Sequence, residues 1–190
     1  MIMNRKKKSS RLSRWVVKSL VGVFVALAFV GLLAVNSSAQ EMATIQATAT
    51  VISGLSVNGN NNLIFGNVSP GVAATVDKTT VGLAGSWGIA GTPNAEVQLT
   101  FTLPDSLQHV TDPVGIPITF APTDGSYEDG NGGGQTAPAG ALDPNLGATL
   151  RLGTAGTLNI WLGGTIFPSI IQTGGDYAAD ITLDVIYTGG

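Results

Sequence analysis

Two stretches near the carboxyl end decide the fold: Thr157-Leu-Asn-Ile-Trp-Leu162 and Ile181-Thr-Leu-Asp-Val-Ile-Tyr187. Large apolar residues occupy every second position of both stretches, and most of the positions between them are polar. Because successive side chains of a strand point to opposite faces, this pattern predicts strands with one buried and one solvated face. Pro168 and the Gly174-Gly-Asp176 corner are turn residues between them. The two stretches therefore indicate a half-buried antiparallel sheet.

Short alternating runs recur from residue 43 onward, separated by turns rich in glycine, proline and asparagine. About eight or nine short strands at such spacing are typical of a β-sandwich. Residues 124–145 are so rich in glycine and proline that we predict a loop without core residues. The next run, 148–152, is predicted to pair with the strand that starts at Thr157. The other predicted strands cover 43–57, 63–66, 72–76, 81–89, 96–103 and 116–120.

The first 39 residues have the form of a secretion signal. They hold seven of the nine basic residues and no acidic one, and an apolar run of sixteen residues, 20–35, follows the basic stretch. Asn36-Ser-Ser-Ala39 places small residues where a signal peptidase cleaves, so Gln40 would begin the mature chain. The run is short for a membrane span, which favours cleavage over a retained anchor. We predict a cleaved signal helix in 1–39, a single domain over 40–190 with no stable membrane span, and a secreted, periplasmic or cell-surface location.

The composition of residues 40–190 excludes several functions. This part has two basic and twelve acidic residues, a formal charge of −10 with His109 neutral. Such a surface repels phosphate backbones, so we predict no nucleic-acid partner. The chain has no cysteine, which excludes disulfides, thiol nucleophiles and cysteine metal ligands.

No set of residues forms a recognisable catalytic pattern. His109 is the only histidine, and no Gly-x-Ser-x-Gly sequence surrounds any serine, so we interpret His109 as a surface residue. Asp180 and Asp184 are four residues apart on one strand face, roughly 13 Å at ~3.3 Å per residue. That separation exceeds the spacing of glycosidase carboxylates. We therefore predict that the protein is not an enzyme and has no catalytic residues.

One group of residues could hold a metal. Asp124, Glu128, Asp129 and Asn131 lie together in the glycine-rich stretch and offer the oxygen ligands that calcium prefers. Their spacing does not match the EF-hand pattern, and such residues are also common in ordinary turns. Calcium is the one cofactor that the sequence suggests, and the alternative is a loop without any cofactor.

The two tryptophans of the mature chain have different predicted roles. Trp87 shares a face with Ile89 and is predicted to be in the core. Trp161 lies on the face opposite Leu158 and Ile160. An exposed tryptophan on a sheet can stack on a sugar ring, so Trp161 is the candidate ligand-binding residue for a glycan. The alternative is that a loop covers it.

Four segments together carry a resemblance to a known family. They are Leu63-Ile-Phe-Gly-Asn-Val-Ser-Pro-Gly71, Trp87-Gly-Ile-Ala-Gly-Thr-Pro-Asn-Ala95 with the strand after it, 158–164, and 175–187. In this order they resemble the bacterial secreted domain-of-unknown-function family number four thousand four hundred and two. The resemblance implies an immunoglobulin-like, fimbrial or adhesin-style β-sandwich and supplies no catalytic residues.

These observations predict an all-β, immunoglobulin-like antiparallel β-sandwich preceded by the signal helix. The predicted function is that of a non-catalytic structural or adhesive surface protein, with copies of itself or other surface proteins as partners. The alternatives are an extracellular glycan-binding module and a pilin-like subunit assembled by donor strands. In the last case the alternating run 43–51 adds a strand to a neighbour instead of completing its own sheet. The chain lacks the cysteine pair that such pilins often hold.

Overall fold

The computed structural model describes residues 46, 48 and 54–189. The chain divides into two compact units, Met1–Ala49 and Thr50–Gly190, and the fold described below belongs to the second unit. The predicted signal helix lies outside the described residues. So do most residues of the predicted strand 43–57 before Gly54. Gln46 and Thr48 are exposed and belong to no strand.

Every regular element of the described residues is a β-strand, which confirms the all-β prediction. These residues contain no helix of the length and apolarity needed to cross a membrane. The strands are β1 (Ser56–Asn61), β2 (Ala74–Val76), β3 (Gly85–Ala90), β4 (Glu96–Thr102), β5 (Ser106–His109), β6 (Gly115–Thr119), β7 (Gly125–Glu128), β8 (Gly140–Leu142), β9 (Ala148–Arg151), β10 (Thr157–Leu162), β11 (Gly164–Ile166), β12 (Tyr177–Ala178) and β13 (Thr182–Tyr187).

The strands form three antiparallel sheets. The first sheet has the order β1-β3-β10-β7-β8, the second β13-β4-β9 and the third β12-β5-β6-β11-β2. Several stretches pass from one sheet to another: β10 continues into β11, β4 is followed by β5, and β12 is followed by β13. The arrangement is consistent with a β-sandwich.

The first core lies between the inner faces of the first and second sheets. Leu158 and Ile160 of β10 and Val97 of β4 are completely buried in it, as their alternation predicts. Leu183 completes the packing from β13, and the exposed Ile186 lies on the other face of that strand. The buried members are Ile89, Val97, Leu99, Leu142, Leu152, Leu158, Ile160 and Leu183.

The second core lies against the third sheet. Its buried members are Ile116, Ile118, Phe120, Leu162 and Ile166. Trp87 of β3 is half-buried and packs against both cores, and its ring meets that of Phe101 edge-on at 5.9 Å. The second core is smaller, and it depends on residues of irregular segments for its remaining cover.

Gly163 allows β10 to continue from the first sheet into β11 of the third. A Cβ at this position would overlap the carbonyl oxygen of Val76 and lie 2.8 Å from the amide nitrogen of Lys78. The N–H of Gly163 donates to the Asp124 carbonyl. Only glycine fits where the backbones approach so closely.

Four sequence predictions about the described residues are wrong. The predicted strand 63–66 belongs to no strand of the structure. Residues 124–145 contain β7 and β8 and contribute Leu142 to the first core. β9 pairs with β4 and not with β10, whose neighbours are β3 and β7. The predicted strand 81–89 begins only at Gly85, because Val81 and Leu83 lie in an exposed turn.

Candidate functional site

A cleft of about 1090 Å³ opens over the second core. Its floor contains Trp87, Leu107 and the isoleucines of β6 and β11. Two walls of ten consecutive residues each, 59–68 and 172–181, rise on either side. We call them the amino wall and the carboxyl wall. The second core is therefore closed by a sheet on one side and opens into a cleft on the other.

The amino wall starts with the last residues of β1 and continues with alternating burial as far as Phe65, and Gly66 at φ +67° then turns the chain. Leu63 and Phe65 are half-buried in the second core, whereas Asn62 and Ile64 are exposed. Ile64 donates its N–H to the Leu83 carbonyl. Because successive N–H groups of an extended chain point to opposite sides, those of Leu63 and Phe65 point away from Leu83.

The carboxyl wall repeats this arrangement along β12 and the residues after it. Tyr177, Ala179 and Ile181 are half-buried, and Ala178 and Asp180 between them are exposed. β12 is an edge strand of the third sheet, with β5 as its neighbour. The cleft thus separates two extended segments that each point every second side chain inward.

Hydrogen bonds hold the carboxyl wall in place. Gln172 Nε2 donates to the Tyr177 hydroxyl at 2.7 Å, and this hydroxyl donates to the Thr173 carbonyl at 2.7 Å. Val110 donates its N–H to the Asp176 carbonyl. The wall is therefore anchored at its start and middle, while no bond of this kind holds Ala179 among the described residues.

His109 supports the carboxyl wall from behind. Its side chain is only 8% exposed, so the interpretation of His109 as a surface residue is wrong. The ring packs edge-on against Tyr177, with 4.9 Å between centroids, and Nδ1 accepts the N–H groups of Thr111 and Asp112. The ring proton then lies on Nε2, which donates to the Gly174 carbonyl at 3.4 Å. These contacts give the imidazole a structural part in the wall.

The charges at the cleft are negative. Asp176 and Asp180 line the carboxyl wall, and of the described residues no lysine, arginine or histidine lines the cleft. Amides of Asn60 to Asn62, Asn67 and Gln172 and the hydroxyls of Ser86, Thr173 and Tyr177 supply further polar lining. The cleft therefore disfavours anions and suits a neutral or cationic ligand with groups that pair with amides.

The predicted calcium loop is organised around one carboxylate. Glu128 is buried, and its Oε1 accepts the N–H groups of Gly130 at 2.6 Å and Gly132 at 2.7 Å. The N–H of Gly132 above all lowers the pKa of Glu128; burial opposes this effect, and the N–H groups of Gly130 and Gly134 add to it. Gln135 ties the same loop to the carbonyls of Lys78 and Thr80. The loop is thus held by bonds within the protein.

The four predicted calcium ligands are distributed along this segment. Asp124 and Glu128 flank opposite ends of β7, roughly 13 Å apart at ~3.3 Å per residue. Asp124 accepts the N–H of Ala121, and Asp129 accepts the N–H and side-chain amide of Asn131. Within the described part of the chain, no three His, Cys, Asp or Glu side chains are grouped to hold a metal. Calcium at this loop stays a prediction.

Trp161 lies in the middle of the outer face of the first sheet. It is half-buried, and its cross-strand neighbours are Ser86 on β3 and Ser126 on β7. Ser126 is completely buried, so the sheet face is covered on the β7 side of the indole. Trp161 does not line the cleft, although its neighbour Ser86 does. Binding of a glycan at Trp161 stays a prediction.

The sequence pattern does not predict the cleft. It predicts a turn followed by a short strand for the amino wall, and turn residues before the last strand for the carboxyl wall. A signal was present, because Leu63, Phe65, Tyr177 and Ile181 repeat the alternation that marks buried faces. Alternation does not tell whether a strand has neighbours on both sides, which is the property that produces the cleft.

No protein-family model matches this chain, and no curated protein matches it. The cleft, the Glu128 loop and Trp161 are therefore interpreted from their own geometry.

Proposed function

We propose that this protein is a secreted, non-catalytic structural or adhesive protein of the cell surface that works by contact with copies of itself or with other surface proteins. In this proposal residues 1–39 form a cleaved signal helix, and the mature domain is an immunoglobulin-like sandwich of the secreted family that the sequence resembles. The acidic mature chain and the all-β fold support the proposal.

The cleft over the second core carries the proposal. A sandwich that is complete in itself covers its apolar interior with two sheets. Here the second core is covered on one side by two separate extended segments, and their inward side chains reach solvent through the cleft. A cleft with an apolar floor and a polar rim suits an extended segment of another protein, which can contribute both backbone hydrogen bonds and side chains.

The cleft residues offer little for catalysis. Its carboxylates, Asp176 and Asp180, lie on an exposed rim, and the ring of His109 is engaged by backbone groups behind the wall. General acid–base catalysis needs a group within reach of both its proton and its substrate. A function based on contact between proteins needs no group placed for proton transfer.

Removing the protein from the cell tests this function. We expect a deletion strain to lose surface assemblies in negative-stain electron microscopy, or to lose attachment, and the secreted full-length gene product to restore them. Mass spectrometry of the secreted protein should give an amino terminus at Gln40. A protein retained inside the cell, or a surface unchanged by the deletion, would contradict the proposal.

Trp161 supports a second candidate, a glycan-binding module. Its indole is half-buried beside Ser86 of β3, and a sugar ring would stack on the part of the indole that solvent reaches. Binding of the secreted protein to a glycan array, lost in Trp161→Ala and kept in Tyr177→Phe, would favour this candidate over contact between proteins.

A further inference from the structure

We propose that the cleft is the acceptor for residues 43–51 of a second copy of this chain, which enter it as an extended strand between the two walls. This inference rests on the proposed function, because it names the partner and the site through which the protein assembles.

The side-chain pattern of the run fits the cleft. Residues 43–51 read Ala-Thr-Ile-Gln-Ala-Thr-Ala-Thr-Val, with small or branched apolar residues at every odd position and polar residues at every even one. The floor below offers large side chains, among them Trp87, Ile116 and Ile166. Small residues opposite large ones pack without voids or overlap. The threonines and Gln46 would then face solvent or the amides of the rim.

The charge of the run also fits the cleft. The run carries no charge, so the aspartates of the carboxyl wall do not repel it. Asp176 and Asp180 would repel a negatively charged segment.

The carboxyl wall offers an edge for strand addition. Asp176 accepts a hydrogen bond from Val110 of the neighbouring segment, and Tyr177 is opposite His109 in the ladder. In an antiparallel pair, bonded and non-bonded positions alternate, so the backbone groups of Tyr177 and Ala179 point away from β5. An unpaired edge of this kind is a template for another strand.

A second copy is a better source for this strand than the same chain. Gln46 and Thr48 are exposed and belong to no strand, so the run is unpaired at these two positions.

Cysteine cross-linking tests the inference directly, because the natural sequence has no cysteine. Full-length Ala47→Cys and Ala179→Cys chains are produced together in the same cells, and the secreted protein is oxidised mildly. We expect covalent dimers that reductant dissolves. The matched pairs Thr48→Cys with Ala179→Cys, and Ala47→Cys with Ala178→Cys, place one sulfur on the opposite face and should cross-link much more slowly.

Two results would overturn the inference. A double variant Ala47→Cys/Ala179→Cys that links only within one chain, with no dimer from the mixed single variants, would assign the cleft to the protein's own run. Absence of any link, in variants that melt like the parent protein, would exclude the cleft as acceptor. If the cross-linking excludes the inference but the protein still forms surface assemblies, the proposed function is retained.

The alternation of inward and outward positions along residues 43–51 allows a second test. Ala47→Asp would place a charge over the apolar floor and should weaken self-association about tenfold or more, whereas Thr48→Asp points outward and should leave it unchanged. Sedimentation velocity of the secreted variants measures this difference. Equal effects of the two substitutions would contradict insertion as a strand.

Discussion

The two cores of this protein are built from some of the same strands but are closed differently. The first core lies between two facing sheets and contains side chains with no exposure at all, such as Leu158 and Ile160. The second core has a sheet on one side and two extended walls on the other, separated by the cleft. The comparison indicates that the first core carries stability and that the second leaves apolar surface available for a partner.

The shared strands explain how the second core can stay open. β10 places Leu158 and Ile160 in the first core and Leu162 in the second. Residues 181–187 also contribute to both cores, with Ile181 in the second core and Leu183 in the first. The closed core therefore holds the strands on which the open core is built.

Ile160→Ala should have the largest effect, because it empties a site at the centre of the closed core. We expect a loss of about 2–5 kcal/mol in the free energy of unfolding. Phe65→Ala removes more atoms from the amino wall and should nevertheless cost less, because Phe65 is only half-buried. Urea denaturation of both variants measures the difference. An equal or larger loss for Phe65→Ala would show that the second core is as closed as the first.

Gly163→Ala should destabilise the connection between the two cores. Its Cβ would overlap the Val76 carbonyl oxygen, and such overpacking typically costs about 1–3 kcal/mol. Gly174→Ala in the carboxyl wall is the matched control, because a Cβ there meets nothing within 4 Å. Thermal unfolding should separate the two alanine variants clearly. Similar melting temperatures would contradict the close approach at Gly163.

Tyr177→Phe should loosen the carboxyl wall without unfolding the domain. It removes the hydroxyl that binds Gln172 and Thr173, a loss of about 1 kcal/mol for typical hydrogen bonds. Limited proteolysis should then cut residues 172–181 faster, while strands of the first core stay protected. If cleavage occurs at the same rate as in the parent protein, these bonds do not hold the wall.

Glu128→Gln should change how stability depends on pH. The pKa of Glu128 in the folded protein is lowered from 4.5, so its charged form stabilises the fold above this value. That stabilisation is lost as the pH falls through the folded pKa. Between about pH 6 and pH 3, the parent protein should therefore lose more stability than Glu128→Gln.

Asp77 does not disturb this comparison. Its pKa is also lowered, first by the hydroxyl of Thr79 and then by the Thr79 N–H, but the residue is present in both proteins. Asp129→Asn serves as the control for removing a carboxylate from the same loop. Parallel curves for the parent protein and Glu128→Gln would mean that the Glu128 carboxylate does not organise the loop.

The sequence predicted most of the closed core and little of the open one. Alternation in 96–103, 157–162 and 181–187 identified strands and their buried faces, because apolar and polar side chains follow the two-residue period of a strand there. Alternation carries no information about strand partners, which is why β9 was paired with β10 in place of β4. β7 was not predicted because its sequence, Gly-Ser-Tyr-Glu, shows no alternation of apolar and polar residues, although Gly125 and Ser126 are buried.

The candidate sites show the same limit. The residue types at 124–131 suggested calcium, but their hydrogen bonds to the glycine N–H groups depend on a loop conformation that composition does not reveal. The cleft exists because no strand of the described residues lies between the amino wall and the carboxyl wall. A single sequence describes each segment and not the space between them.

Hydrogen exchange as a function of protein concentration tests the central claim most directly. We predict that the amides of β4 and β10 stay protected at every concentration of the purified protein. Those of Leu63, Phe65, Tyr177 and Ala179 in the two walls should exchange fast when the protein is dilute and gain protection as copies associate. Walls that are as protected as β10 in dilute solution, or whose exchange does not respond to concentration, would contradict an open second core completed by a partner.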